Sequence, residues 1–557
     1  MTGFNGRRLD EFRVNEAGPV VNTLIDEFID GEMDRGEFIQ RASVFGLSAS
    51  MIGTALAALG AAPLASASSR AVRVGGRLRL GIVGPPAGPV DPHLFNNHGH
   101  VVVGGICGEY LIRGRQKTPL GPELAIKWTP NRDASIWTYK LRPNVKFQNG
   151  KTMTADDVVA TYKRLTDPKS GSQALSAFGG VLSPAGVRKI DNLTVEFRLQ
   201  APNANFPYLT SSTTYQAIIL PADYELGTFT ETPQTTGAFK LVSYTPGVRV
   251  NYDRFDGWWG GRAPLDGVDA TMYDDDAASV AAMLGRGQDL LSQTSLAVGR
   301  PLLNNPGVKM FTARGASHRT ISMRVDRDPF RDRRVRQALA LTLDRPATLK
   351  TVLGGFGDIG NDSPFAPLYA STAKTVPQRR RDLRQAKQLL AAAGHPDGFS
   401  AELTAVRYLE VPQLAQLFQQ SLRLIGVTLR LKILPVSVYY GGSAKSTPWL
   451  NAPMQLTDWG HRAVPNVVAS ASLTRTGPWN GSKYANKTYD RLMKSYVGAI
   501  SLVDQRRFSR QLQELLLRDT PVIFPYFNGW LMPGTPRLRG FEASPDAQTY
   551  LSRASFA

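Results

Sequence analysis

The sequence predicts an α/β fold built from two or three packed units, and three observations carry that prediction. Its 557 residues are 42% hydrophobic, enough chain to bury more than one core. Short β-like stretches such as "RVGGRLRLGIV" and "NLTVEFRL" are set irregularly among helical ones such as "SVAAMLGRG" and "AQLFQQSLRLIG", and no segment repeats in tandem. The Pro- and Gly-rich pieces "VGPPAGPVDP" and "GGFGDIGNDSPFAP" are too short to separate independent domains.

The first element is expected to be an export leader over residues 1–67. This stretch is acidic overall, with five Arg against nine Asp or Glu. Within it begins an uncharged run, Ala42 to Ser69, that contains "VFGLSASMIGTALAALGAAP", and Ala65-Ser66-Ala67 has the small-x-small pattern of a signal-peptidase site. The basic start of a standard leader is missing, and only Arg35 and Arg41 lie close to the apolar run. "DRGEFIQR", Asp34 to Arg41, resembles a twin-arginine export motif with Gly36 at the second arginine. An uncleaved transmembrane helix is the alternative, although Gly, Ser and Thr leave the run weakly apolar for a permanent anchor.

Leu141 to Pro168, "LRPNVKFQNGKTMTADDVVATYKRLTDP", shows how the later elements are joined. Val145 and Phe147 alternate with Lys146 and Gln148 as in a half-buried strand, and Asn149-Gly150 is the dipeptide of a tight turn. Thr154 then caps a helix with Asp157 reaching back, Val158, Val159, Tyr162 and Leu165 form its apolar face, and Asp167-Pro168 ends it. Nothing in this joint by itself implies a function.

Charge and motifs exclude more than they assign. Removing the leader's five bases and nine acids raises the formal charge from +19 to +23. The clusters "RRVR" from Arg333 and "RRRDLR" from Arg379 lack interleaved aromatics and read as solvated helix faces, so no nucleic-acid partner is expected. The one cysteine, Cys107, allows no intramolecular disulfide and no cysteine-rich zinc site, and it lies too far along the chain to anchor a lipid. Gly355 to Gly360 reads GxGxxG but leads into "NDSPFAP", which cannot open the helix that dinucleotide binding requires. Ser371 to Lys374 matches SxxK without its partner motifs, and neither GxSxG nor HExxH occurs. No catalytic residue is expected. His93, His98 and His100, with Asp91, could hold nickel or copper if their loop folded back; the other reading is a polar loop making ordinary hydrogen bonds.

The strand "LRPNVKFQNGKTMTADDV" resembles the extracytoplasmic solute-binding proteins of ATP-binding-cassette importers of the peptide, nickel and opine type, solute-binding protein family 5. Further matches follow in the family's order: Pro122 to Ala125, "PNANFPYL" from Pro202, "TTGAF" from Thr235 and "YDRFDGWWGG" from Tyr252. "DPFRDRRVRQALALTLDR" to Arg345, "AKQLLAAAGHPDGF" from Ala386, "LIGVTLRL" from Leu424 and "DTPVIFPYF" from Asp519 complete the series, which spans nearly everything after Arg70.

The resemblance implies a two-lobed periplasmic-binding-protein fold, type II of cluster C, with an extra inserted domain. It places lobe 1 at 70–115, 235–315 and 528–557, the inserted domain at 116–234 and lobe 2 at 316–527. Chain crossings near "HRTISMRV" from His318 and "PVIFPYF" from Pro521 would form the hinge. It implies a soluble periplasmic monomer without cofactor. The partners would be a small-molecule ligand and the membrane permease subunits of an importer. A sensory or chaperone-like binding protein, and a carrier of metal or metal chelate, are the other uses of such a cleft.

In peptide-binding relatives a Trp-x-x-Asp segment lines the cleft, and the matching stretch here is "TDWGHRAVPN" from Thr457. Trp459, Gly460, His461 and Arg462 are therefore candidate ligand contacts, with Arg462 standing where the family places the acid that grips a free α-ammonium. A guanidinium there favours carboxylate or phosphate, whereas pairing with Asp458 would cancel its charge. His461 would add a polar contact that responds to pH. Arg407 and Tyr408 form a second candidate set after a predicted strand, or else a strand-end pair packed on the next helix. N-terminal sequencing of the exported protein is expected to start near Ser68, and a full-length chain confined to the cytoplasm would refute export.

Overall fold

The computed structural model describes residues 6–15, 17–47, 49–59, 73–86, 88–114, 120–232 and 234–557. Its central feature is one twelve-stranded sheet that serves two halves of the molecule. In the first half, Arg77–Val83 lies parallel to Gly267–Tyr273 and to Leu290–Leu291, and Arg249–Arg254 and Phe239–Thr245 extend that edge antiparallel. In the second half, Ser400–Val406 lies parallel to both Thr428–Leu434 and Met454–Trp459.

Two strands join the halves. Lys309–Met323 and Tyr526–Gly534 pair antiparallel along their length, one end against Leu290 and the other against Met454–Trp459. Their register slips between Ala313 and Ser317, just before the His318 segment. Backbones approach so closely here that a Cβ on Gly529 would lie 1.9 Å from the Ala313 carbonyl oxygen, which leaves glycine alone able to stand there.

A separate antiparallel sheet of Ala125–Pro130, Ile136–Leu141, Thr194–Arg198 and Val187–Asp191 forms the unit between residues 120 and 220. Trp137, Tyr139, Tyr162 and Phe197 fill its interior and are fully buried. The joint after Leu141 follows the sequence reading in most respects. Gly150 takes φ +88° in its turn, the Asp157 carboxylate accepts from Thr154 N at 2.7 Å, and the helix runs Ala155–Thr166. The expected strand through Val145 and Phe147 shrinks to a single bridge, Lys146 to Thr152. Both side chains are nonetheless fully buried, because the turn folds them inward.

The described helices before residue 60 also pack on this body. Helices Pro19–Ile29, Arg35–Val44 and Ala49–Ala58 bury Leu24, Ile25, Phe38, Ala42, Val44, Ala55 and Leu56 completely, in a core continuous with the four-stranded unit. None of the described helices is long and apolar enough to cross a membrane.

The arginine clusters follow the sequence reading at Arg333, Arg334, Arg380, Arg381 and Arg384, which are exposed, and depart from it at Arg336 and Arg379. Arg336 of "RRVR" is buried and donates to the carbonyls of Phe330, Asp519 and Thr520, so it ties its helix to the returning chain. Arg379 and the fully buried Arg345 both donate to Asp362, each at 2.6 Å, while Asp362 also accepts from Phe524 N at 3.0 Å. The spacing of these arginines looks like a solvated face because the partners that bury them are remote in sequence. Asp362 adopts φ +53°, which asparagine also tolerates. Asp362→Asn should therefore keep the backbone yet leave two guanidinium groups without their anion, costing about 3 kcal/mol of unfolding free energy by denaturant titration.

Candidate ligand-binding site

The candidate site is taken at the ends of the parallel strands of both halves, the usual location for ligands in such sheets. From the second half come Arg407 and Tyr408 after Ser400–Val406, and Gly460 to Arg462 after Met454–Trp459. From the first half come Ser292 and Gln293 after Leu290–Leu291, facing His98 at the start of the helix His98–Cys107. The seam is narrow: Gln293 Nε2 lies 3.4 Å from the Tyr408 hydroxyl, and Asn205 Nδ2 lies 3.3 Å from Asn466 Oδ1. Tyr408 thus meets the opposite wall, whereas the Arg407 side chain is exposed.

Strand alternation splits the "TDWGHR" stretch between two faces. Trp459 pairs across from His318, stacks on its imidazole at 6.1 Å and donates its indole N–H to Thr320 Oγ1 at 2.8 Å. With Trp449, Trp479 and Phe524 it lines a small aromatic pocket of the second half. Asp458 points the other way, beside Arg319, and accepts from the Tyr440 hydroxyl. It does not pair with Arg462.

Arg462 is half-buried at the seam, with its guanidinium carbon 5.8 Å from the centre of the Tyr215 ring and Nη1 donating to the His461 carbonyl at 2.9 Å. Among the described residues no carboxylate forms an ion pair with it. The site therefore presents a cation without a protein counter-ion.

Comparison with known proteins agrees with this architecture. Residues 119–481 match the family described as bacterial extracellular solute-binding proteins, family 5 Middle. The chain belongs to that family. The heme-binding protein A of Haemophilus influenzae is 26% identical over 458 residues, covering 77% of this chain and 82% of the relative. The glutathione-binding protein GsiB of Escherichia coli K12 is 26% identical over 443 residues, covering 76% and 83%. Among solved structures, the periplasmic binding protein DppA of Helicobacter pylori, in complex with the peptide STSA, superposes with a TM-score of 0.75 at 20% identity, covering 87% of this chain and 98% of that one. The chain thus has the two-lobed fold of family 5.

In this family 5 protein the histidines proposed as metal ligands go separate ways. His93 Nδ1 meets Asp91 at 2.6 Å, His98 Nε2 meets Ser292 Oγ at 3.0 Å and His100 Nε2 meets the Pro89 carbonyl at 3.1 Å. No metal-ligating group of three forms among the described residues. Cys107 is buried in its helix, and burial pushes its thiol pKa up to about 12.

Sequence reasoning missed much of the cleft wall. Arg319 and Glu410 form a buried ion pair at 2.9 Å, to which Tyr526 adds a hydrogen bond at 3.1 Å. His318, Gln293, Asn528 and Ser317 each leave a buried polar atom without a protein partner. Ser317, His318, Arg319, Tyr526 and Asn528 lie on the two crossing strands, whose pairing no local pattern marks.

His461 is not the pH-responsive contact that the sequence suggested. Its Nδ1 accepts from Ala316 N at 2.9 Å, and burial, helped by Arg462 and His318, lowers its pKa to about 3. Burial lowers His318 and His98 to about 3 and His100 to about 4. Ligand affinity should not follow these groups between pH 5 and 8. Fold stability should: the unfolded chain takes up their protons below pH ~6.5 while the folded chain does not, so stability is full above that pH and falls below it. At pH 5 each should cost about 2 kcal/mol, and His461→Asn, which keeps an acceptor for Ala316, should flatten the acid limb of a melting-temperature profile.

Proposed function

We propose that this chain is the extracytoplasmic binding component of an ATP-binding-cassette importer, and that its cleft closes on a small organic anion. Family membership supports the first statement. The second is carried by Arg462, because a half-buried guanidinium at the seam lacks a protein counter-ion and an anionic group on the solute would supply one. Arg462 stands where peptide-binding relatives place an acid, so a free α-ammonium is disfavoured in the same position.

Capture follows from two-lobe mechanics. A solute touching both walls favours the closed state by its differential affinity, and only that state presents both lobes to a permease together. Arg462, Tyr408 and Trp459 contribute from the second lobe, and His98 and Gln293 from the first. Lobe 1 comprises 70–115, 235–315 and 528–557, the inserted domain 116–234 and lobe 2 316–527, within a periplasmic monomer whose leader is residues 1–67. Relatives named for heme, glutathione and peptide share the fold, so the solute class depends on the cleft residues of each chain.

Native mass spectrometry of the purified protein is expected to reveal a retained solute carrying carboxylate or phosphate. In calorimetric titration with that solute, Arg462→Ala should weaken binding by about one to two factors of ten, matching roughly 1.5–3 kcal/mol for a charge-assisted hydrogen bond. Tight binding of a short peptide through its amino terminus, or unchanged affinity in the variant, would overturn the anion reading.

A further inference from the structure

The N-terminal helices occupy a composite surface that neither the inserted domain nor the second lobe provides alone. On one side Trp128 Nε1 donates to the Val44 carbonyl at 2.9 Å, and Phe45 stacks on Trp137 at 6.0 Å with 11° between the rings. On the other, Glu37 pairs with Arg506 at 2.5 Å and with Lys374 at 3.3 Å, and Glu27 accepts from Leu502 N at 3.3 Å. The same stretch therefore grips both bodies that a hinge would separate.

Arg41 sits at the junction, only 4% exposed. Its Nη1 approaches Asn205 Oδ1 of the inserted domain at 3.5 Å, and its Nη2 donates to the Ile500 carbonyl of the second lobe at 2.5 Å. Asn205 in turn reaches Asn466, four residues beyond Arg462, so the contact lies beside the cleft rim. A groove of about 820 Å³ continues the junction between Pro19 and Val20 of the first of these helices, Arg132 and Asp133 of the inserted domain, and Ile500 and Asp504 of the second lobe.

We propose that residues 17–58 are an intramolecular clamp that holds the inserted domain against the second lobe and keeps the cleft shut. Opening the hinge would pull Asn205 from Asn466 and would separate the two partners of Arg41. Each would leave a buried polar group unpaired, and for Arg41 a buried charge. Detachment of the helices removes that restraint, so loss of the leader would turn a closed precursor into a hinge free to open. This goes beyond the binding role and does not depend on which solute is bound.

The test uses the full chain without added solute, with nitroxide labels at Lys127→Cys in the inserted domain and Lys387→Cys in the second lobe, both exposed positions. Cys107 is buried and stays unlabelled. Pulsed electron-electron resonance should give one narrow distance distribution. Adding Arg41→Ala should produce a second, longer population, and so should Glu37→Gln, a milder change that decides the matter if the arginine variant does not fold. Distributions that superimpose on the parent in folded variants, or a parent that already shows the longer population, would overturn the clamp.

Discussion

The pairing of Lys309–Met323 with Tyr526–Gly534 is the constraint on which the rest of the molecule depends. These strands run through both halves, so the sheet is continuous across them. The register slip between Ala313 and Ser317 confines the irregularity to a few residues, and the Cβ-free backbone of Gly529 permits the close approach. Everything around the slip is arranged to hold it. Ala316 N is held by the buried imidazole of His461, and Arg319 is paired with Glu410, whose carboxylate also accepts from the Tyr526 hydroxyl. Asp362 anchors the returning chain at Phe524 before it enters the second strand.

Much of the fold was readable from local pattern, because capping, turn chemistry and apolar periodicity act over a few residues. The helix after Thr154 shows this, since its cap, turn and buried face are encoded within the "NGKTMTADDVVATYKRL" stretch. The paired tryptophans of "YDRFDGWWGG" carried family information but no visible reason for it. Their indole N–H groups both donate to Glu109 at 2.8 Å, a buried carboxyl that burial and the neighbouring Glu123 raise to about 7. That partner lies roughly 150 residues away in sequence, as the spacing of the hydrogen bonds records.

The same limit explains the candidate site. Trp459 and Arg462 are candidates because they occupy positions of a recognisable motif, but their surroundings are made by remote strands. Asp458 is the sequence's alternative partner for Arg462, yet it lies on a strand opposite Arg319 and accepts from the Tyr440 hydroxyl. His461 looked titratable until the Ala316 backbone and full burial were known. Charge sign was readable from the sequence; the pairing of charges required the fold.

Cys107 bears on where the chain can fold. Its thiol is buried and its helix is held by packing, so the described fold relies on no covalent cross-link that must wait for an oxidising surrounding. Folding therefore does not depend on the redox state of the surroundings, and the same tertiary structure is reachable in a reducing or an oxidising compartment.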